Sequence, residues 1–233
     1  MSVKEIIVPI SSPRPRDRLD RPLGTYAERI VLDAADVAPA PAGVDSVAAS
    51  TIPLNALTAI QALDALGLAA GQAILVTGAA GGLGGFGVEL AAMRGLRVVA
   101  AAGDDDEKLV RELGAADFVP RSADLAEAAR DLVPGGVDAV FDAAVLGYPA
   151  LDAARGGRAF ASFVLPGPGK LRGNRVEPVM IRADGAALSA LSALAAAGKL
   201  TLRVADTYPL EHAVKAHERL EAGGLRGRLV LVP

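Results

Sequence analysis

One stretch constrains the fold more than any other: Gln72-Ala73-Ile74-Leu75-Val76-Thr77-Gly78-Ala79-Ala80-Gly81-Gly82-Leu83-Gly84-Gly85-Phe86-Gly87-Val88-Glu89-Leu90-Ala91-Ala92. Ala73 to Val76 is a short apolar run, the pattern of a strand buried on both faces, and Leu83 to Met93 is apolar with the period of a helix. The glycines between them have distinct jobs. Gly78 or Gly81 permits a tight turn, Gly82 lets the backbone approach a pyrophosphate, and Gly84 lets the helix pack closely on the strand. Phosphates would then meet the helix N-terminus, where unpaired N–H groups and the dipole attract negative charge. Strand, turn and helix together read as the first half of a dinucleotide-binding βαβ unit. Small-residue turns also join strands and helices in sheets that bind nothing, so the motif depends on its context.

The context supplies the second half. The helix ends near Gly95, and Leu96-Arg97-Val98-Val99-Ala100-Ala101-Ala102 follows as another buried strand. It runs into Gly103-Asp104-Asp105-Asp106, which puts an acid about 20 residues beyond the glycine turn, where a ribose-binding carboxylate belongs. A membrane span is the competing reading, because Ala65 to Val88 carries no charge and exceeds the ~20 residues that a crossing helix needs. Its glycines, Gln72 and the change from strand to helix periodicity argue against that reading.

Apolar residues make up 52% of the chain and aromatic ones only 3%, so the core must be built from Ala, Val and Leu. A net charge of -3 provides no general basic field for nucleic acid or an anionic membrane. There are no cysteines, which excludes disulfides and thiolate metal sites. The N-terminus lacks the long apolar segment of a secretory signal, and cytoplasm is the default expectation.

Elsewhere the chain alternates helices with strands. Lys4 to Ile10 and Gly24 to Leu32 read as strands flanking a Pro- and Arg-rich loop, 11–22, expected to be solvated and mobile. Val44 to Ala49 and Leu54 to Leu66 read as helices, the second with Leu57, Ile60, Leu63 and Leu66 toward a core. Within it, Thr58 either leans toward a cofactor or bonds its own backbone. Glu107 to Leu113, Leu125 to Leu132, Pro149 to Arg155, Ala186 to Ala197 and Leu210 to Glu221 read as further helices. Asp117 to Val119, Val137 to Phe141, Arg158 to Val164, Leu200 to Val204 and Arg228 to Val232 read as strands. That alternation predicts a Rossmann-type α/β fold, a doubly wound parallel sheet with helices on both faces. Ligands of such sheets bind at the carboxyl ends of the strands, which gathers Thr77 to Gly84, Gly103 to Lys108, Asp142 to Val145 and Phe163 to Pro166 around one crevice. The loop from Pro166 to Arg175 reads equally as a mobile lid or a plain surface loop.

Candidate catalytic residues do not stand out. His212 and His217 point about 140° apart on one helix, and with no Cys to join them a metal site is not expected. The Tyr-Lys pair of short-chain dehydrogenases has no counterpart, since Tyr208 is followed at that spacing by His212 and Tyr148 by Asp152. No residue is assigned as catalytic acid or base. Hydride transfer can proceed without one when the cofactor carries the chemistry.

Five segments occur in a familiar order: Ile52-Pro53-Leu54-Asn55-Ala56-Leu57-Thr58 through Leu63; Val76-Thr77-Gly78-Ala79-Ala80-Gly81-Gly82-Leu83-Gly84; Leu113-Gly114-Ala115-Ala116-Asp117; Val140-Phe141-Asp142; and Tyr208-Pro209-Leu210-Glu211-His212-Ala213 with Ala216-His217-Glu218. The chain from Gly24 to Pro233 resembles the zinc-independent, zeta-crystallin-like quinone oxidoreductases of the medium-chain dehydrogenase/reductase superfamily. The resemblance implies an NADPH-dependent reductase of quinones or α,β-unsaturated carbonyls (enones), usually a homodimer. The strand around Leu200 to Val204 is the one expected to pair across the two-fold axis. By position, Ala80, Gly81, Gly82, Leu83 and Gly84 would hold the pyrophosphate, with Thr58 nearby. Gly103, Asp104, Lys108 and Arg121 would take the adenosine end, Ala143, Phe163 and Val164 would line the cofactor, and Met180 and Ile181 would pass near the nicotinamide.

Two departures matter. Relatives carry most of a GroES-like domain ahead of the Gly24-Thr25-Tyr26-Ala27-Glu28 stretch, where this chain has only some two dozen residues. The expected organisation is therefore a GroES-like β remnant over 1–50, a Rossmann domain over 51–205, and a C-terminal helix and strand over 206–233 packing back on the remnant. The alternative to an enzyme is a truncated, non-catalytic dinucleotide-binding protein or partner subunit. The second departure is that Asp104, Asp105 and Asp106 stand where NADPH-preferring relatives often present Ser and Lys. Like-charge repulsion there favours NAD(H), while Arg121 and the resemblance favour NADP(H), which is placed first.

Overall fold

The computed structural model describes residues 6–7 and 32–233, and the chain forms two compact units. One runs from Thr58 to Met180; the other takes the described residues up to Leu57 together with Ile181–Pro233. The expected loop 11–22, the strand from Gly24 to Leu32 and most of the strand from Lys4 to Ile10 lie outside the described residues.

The Thr58–Met180 unit carries a six-stranded parallel sheet. In chain order its strands are β3 (Ala73–Thr77), β4 (Arg97–Ala102), β5 (Asp117–Pro120), β6 (Val137–Asp142), β7 (Ala154–Ser162) and β8 (Arg175–Pro178), and in space they lie β5-β4-β3-β6-β7-β8. The chain winds outward from β3 through β4 to β5, then returns to lay β6 on the other side of β3. That reversal is the topological switch point of a Rossmann sheet, and the expected fold class is borne out.

Continuous apolar runs become the central strands because both faces of the sheet are covered. Every residue of β3 and β6 is buried. On one face Leu75, Val99, Val119, Val140 and Phe160 pack with Ala126, Ala129 and Leu151, contributed by α5 (Leu125–Leu132) and α6 (Tyr148–Asp152). On the other, Phe141 meets α3 (Gly82–Met93) at Gly87, where an added Cβ would lie 3.0 Å from the Phe141 ring. The stretch from Ala65 to Val88, long enough for a membrane span, is divided among the end of α2 (Ile52–Leu66), β3, the glycine turn and the first half of α3.

Buried carboxylates tie the sheet at its amino end as well as its carboxyl end. Asp138 of β6 accepts the Ala73 N–H of β3 at 3.0 Å and has Arg155 and Arg158 within 3.7 and 3.6 Å. Local signals start the helices. The Asp124 carboxylate accepts the Glu127 N–H at 2.8 Å as the N-cap of α5. Asp124→Ala is expected to lower unfolding free energy by about 1 kcal/mol in a urea titration while leaving ligand affinity unchanged, because the cap sits at an exposed helix start.

Several boundaries differ from expectation. The fifth strand begins at Ala154 rather than Arg158 and ends at Ser162, so Phe163 and Val164 lie past its end. The preceding helix shortens to Tyr148–Asp152 because the chain from Ala154 is already pairing with Val137 of β6. β8 falls partly in the segment read as loop; its hydrogen bonds come from β7, and Pro178 is tolerated at its end because this is an edge strand.

The loop between β7 and β8 is fastened rather than free. Tyr148 Oη accepts the Gly169 N–H at 3.0 Å, the Arg172 guanidinium pairs with Asp152, and Asn174 Oδ1 accepts the Arg158 N–H at 2.8 Å.

In the other unit, the backbone of β1 (Ile6–Ile7) pairs antiparallel with β2 (Ala38–Pro39). Ser192 of α7 (Gly185–Ala196) donates to the Pro39 carbonyl at 2.8 Å. Helix α1 (Ser46–Ala49) is capped by Asp45. The strand expected over Leu200 to Val204 forms instead as β9 (Val204–Pro209), parallel to β10 (Arg228–Val232). The β10 backbone decides the register: the Arg228 N–H donates to the Arg203 carbonyl, and the ladder proper starts at Val204. Helix α8 (Ala213–Glu221) follows a single 3-10 turn, Leu210–His212.

Candidate functional site

The glycine turn sits at the switch point. Thr77 ends β3, and Gly78 turns the chain with φ +59°, a left-handed conformation that glycine adopts without penalty. The tight turn is therefore made at Gly78. The Gly81 N–H closes it by donating to the Gly78 carbonyl at 2.9 Å. Gly81, with an ordinary φ of -76°, is the N-cap of α3 and offers no side chain to satisfy the first helical N–H groups. A helix start without a side-chain cap is a setting in which backbone N–H groups can meet an anion. A Cβ on Gly84 would collide with the Gly78 carbonyl oxygen and lie 2.7 Å from its carbon, so the helix approaches the turn at a distance that only glycine allows. Ala80 is buried, while Gly81, Gly82 and Leu83 are partly exposed at the helix start.

On one side of the turn lie the ends of β4 and β5. Ala102 is opposite Pro120 in the ladder, so Gly103 and Arg121 leave the sheet side by side. Asp104 Oδ1 accepts the Ser122 N–H at 3.2 Å, and the buried Asp106 accepts the Gly103 N–H at 3.1 Å. Two of the three aspartates are thus engaged with backbone. Lys108 is 3.9 Å from Glu112, and Arg121 is exposed and has no ion-pair partner among the described residues.

On the other side lie the ends of β6, β7 and β8. Ala143 follows β6 directly, and the Phe163 ring lies against that of Phe141 with centroids 4.7 Å apart and planes tilted by 52°. Val145, Leu146, Val164, Leu165 and Met180 are exposed apolar side chains on this rim. The carboxyl ends of the sheet therefore gather Ala80 to Gly84, Gly103, Asp104, Arg121, Ala143, Phe163, Val164 and Met180. Thr58 is buried within α2, and Ile181 belongs to the other unit.

Sequence reasoning placed Thr77 and Asp142 at the crevice but not in contact with each other, and gave no role to Tyr148. A usable signal was present for the first two, since each is a polar residue closing an otherwise apolar buried strand. Tyr148 and Gly169 are joined only by the loop's path across the sheet, and no local pattern announces that.

The fold and this turn define the chain as a Rossmann-type α/β protein with a glycine turn at the switch point of its sheet. It belongs to the zinc-binding dehydrogenase family, whose model matches residues 113–231, within the medium-chain dehydrogenase/reductase superfamily. The resemblance to that superfamily's quinone oxidoreductase branch is borne out. Among curated relatives, an alcohol dehydrogenase of Caenorhabditis elegans is 33% identical over 54% of this chain and 36% of its own length. A human mitochondrial NAD(P)H oxidoreductase is 25% identical over 89% of this chain and 61% of its own length. The chain thus spans less than two thirds of either relative.

Among solved structures, an NAD-dependent alcohol dehydrogenase superposes with a TM-score of 0.79 at 29% identity, covering 90% of this chain and 66% of that one. A quinone oxidoreductase of Coxiella burnetii superposes with a TM-score of 0.76 at 25% identity, covering 84% and 64%. A mycobacterial protein complexed with NADPH superposes with a TM-score of 0.73 at 27% identity, covering 86% and 69%.

The residues present do not fit the zinc in the family's description. The chain has no cysteine, and among the described residues no three His, Asp or Glu side chains gather to hold a metal. The donor chemistry at the glycine turn suits a phosphate instead: Gly84 lets α3 pack against the Gly78 backbone, and the N-cap Gly81 brings no side chain to the helix start.

Proposed function

We propose that the chain is an NADP(H)-dependent oxidoreductase that transfers hydride to a quinone or an α,β-unsaturated carbonyl without a metal. The observation that carries this reading is the glycine turn at the switch point, with Gly84 against the Gly78 backbone and the start of α3 uncapped. In this reading the N–H groups of Gly82, Leu83 and Gly84 hold the pyrophosphate. Gly103 and Arg121 take the adenosine end, and Ala143, Phe163, Val164 and Met180 flank the nicotinamide half. The bound cofactor supplies the hydride; the protein binds, orients and excludes water.

Arg121 supports NADP(H). The Asp104 carboxylate is partly satisfied by Ser122, whereas Arg121 is an exposed guanidinium suited to a 2′-phosphate. The quinone oxidoreductase and NADPH-complexed neighbours support the same choice. The exposed apolar rim from Val145 to Met180 suits a flat, apolar acceptor better than a small polar alcohol.

Titration of the full chain with NADPH and NADH, followed by cofactor fluorescence, tests the reading. NADPH should bind more tightly, and Arg121→Ala should weaken it about 10-fold with little change for NADH, the loss of one charged phosphate contact. Equal weakening of both cofactors would remove Arg121 from the 2′-phosphate site. The second reading is a dinucleotide-binding protein or partner subunit without turnover. NADPH consumption with a simple quinone as acceptor separates the two.

A further inference from the structure

The loop after β6 is fastened to the glycine turn by one buried pair of side chains. Thr77 and Asp142 face each other in the ladder at the carboxyl ends of β3 and β6, the two strands flanking the switch point. The Thr77 hydroxyl is fully buried, donates to Asp142 Oδ1 at 2.7 Å and accepts the Ala144 N–H at 3.0 Å. With donor and acceptor both used, its rotamer is locked. Asp142, 3% exposed, accepts the Leu146 N–H on Oδ1 at 3.1 Å and the Gly147 N–H on Oδ2 at 2.8 Å.

This arrangement differs in kind from the carboxylate at the opposite end of the same strand. Asp138 has two arginines beside it, whereas Asp142 has no cation partner among the described residues. Its charge is stabilised by one hydroxyl and two backbone N–H groups, and those donors belong to β3 and to the loop 143–147. The loop is held in a conformation that it would not adopt unaided. Val145 has φ +55°, a left-handed backbone that is unfavourable for a β-branched residue and persists only under surrounding constraint. Val145 and Leu146 are nevertheless 48% and 45% exposed, so burial of their side chains does not supply that constraint. The loop also lies on the turn itself: a Cβ on Gly78 would be 3.2 Å from the Ala144 nitrogen.

We propose that Thr77 and Asp142 are a positioning pair that sets the loop 143–147 to receive the nicotinamide half of the bound dinucleotide. The inference rests on the dinucleotide reading above. In a doubly wound sheet the two halves of the cofactor lie on either side of the switch point. The glycine turn with the ends of β4 and β5 takes the adenosine half, which leaves the loop after β6 to the other. A hydroxyl and a carboxylate spanning the switch point hold the second half-site in register with the first.

The test uses two ligands on the full chain: NADPH and adenosine 2′,5′-bisphosphate, which carries only the adenosine end. Thr77→Val keeps the side-chain shape and removes both hydrogen bonds. It is expected to weaken NADPH about 10-fold and to leave the bisphosphate within about two-fold of wild type. Thr77→Ser restores the hydroxyl and should return NADPH affinity to near the wild-type value. Asp142→Asn, in which an N–H group must face the Leu146 or Gly147 N–H, should show the same ligand-selective loss and serves if Thr77→Val does not fold. Equal loss of both ligands would mean that the pair only stabilises the sheet, and unchanged affinity for both would mean that the loop does not meet the cofactor. Either result overturns the inference. Wild-type protein that binds neither ligand overturns the dinucleotide reading itself, and this inference with it.

Discussion

Gly84→Val should abolish dinucleotide binding and lower stability by about 3 kcal/mol or more. A Cβ at this position already collides with the Gly78 carbonyl, and the obstacle is backbone, that of Gly78 and Ala79 in the turn. Neither can yield as a flexible side chain would. Overpacking of a close-packed site costs ~1–3 kcal/mol when neighbours can shift, and here the shift must move a helix off its sheet. The same displacement carries the first N–H groups of α3 away from the position that a pyrophosphate needs. Chemical denaturation measures the first effect and titration with NADPH the second. Gly84→Ala provides the graded control, with the same direction and a smaller loss. A Gly84→Val protein that binds NADPH and unfolds like wild type would show that the close approach of helix and turn is not what the site depends on.

The second large effect is expected at Phe141. Its ring is fully buried, fills the space against Gly87 of α3, and meets the Phe163 ring in a tilted contact. Phe141→Ala should cost about 3–5 kcal/mol, the sum of lost apolar transfer and the cavity left behind. Phe141→Leu, which restores most of the volume, should cost about 1.5 kcal/mol or less. A functional consequence follows from the ring contact: without its partner ring, Phe163 loses a contact that holds it just past the end of β7, and cofactor affinity should fall even where Phe141→Ala remains folded. Urea unfolding of the two variants, with NADPH titration of each, checks both effects. A loss below about 1 kcal/mol for Phe141→Ala would mean that the site collapses around the smaller side chain.

These two residues differ in how far the sequence announces them. Gly84 belongs to a pattern whose meaning is local: a strand, a turn and a helix within a single stretch, where a glycine has a stated steric reason to be. Phe141 is visible only as one apolar residue in a strand, and nothing in Val137 to Asp142 says that its ring faces the gap at Gly87. The same contrast runs through the site. Gly103 and Asp104 were legible from their distance beyond the glycine turn, yet the register that sets Arg121 beside Gly103, and the hydrogen bond that occupies Asp104 with Ser122, belong to the ladder between β4 and β5. β8 escaped because its pairing comes from β7, and Arg175 to Pro178 carries little strand pattern of its own. The strand Val204–Pro209 was displaced from its expected place for a similar reason, since its neighbour β10 selects which residues pair.

What the sequence by itself determined is the set of short-range consequences: buried strands from continuous apolar runs, helices from their period and caps, a tight turn from glycine, the absence of a thiolate metal site from the absence of cysteine. Together with the alternation of elements, these were enough to predict a doubly wound sheet and the end of it that carries the site. Only the tertiary structure decided which polar side chains meet. Thr77 and Asp142 are 65 residues apart in the chain and 2.7 Å apart in space, and Asp138 reaches the Ala73 N–H across the same separation. The physical reason is that a strand's pattern specifies its burial but not its neighbour. Hydrogen-bond partners across a sheet follow from register, and register is settled only when all the strands pack at once.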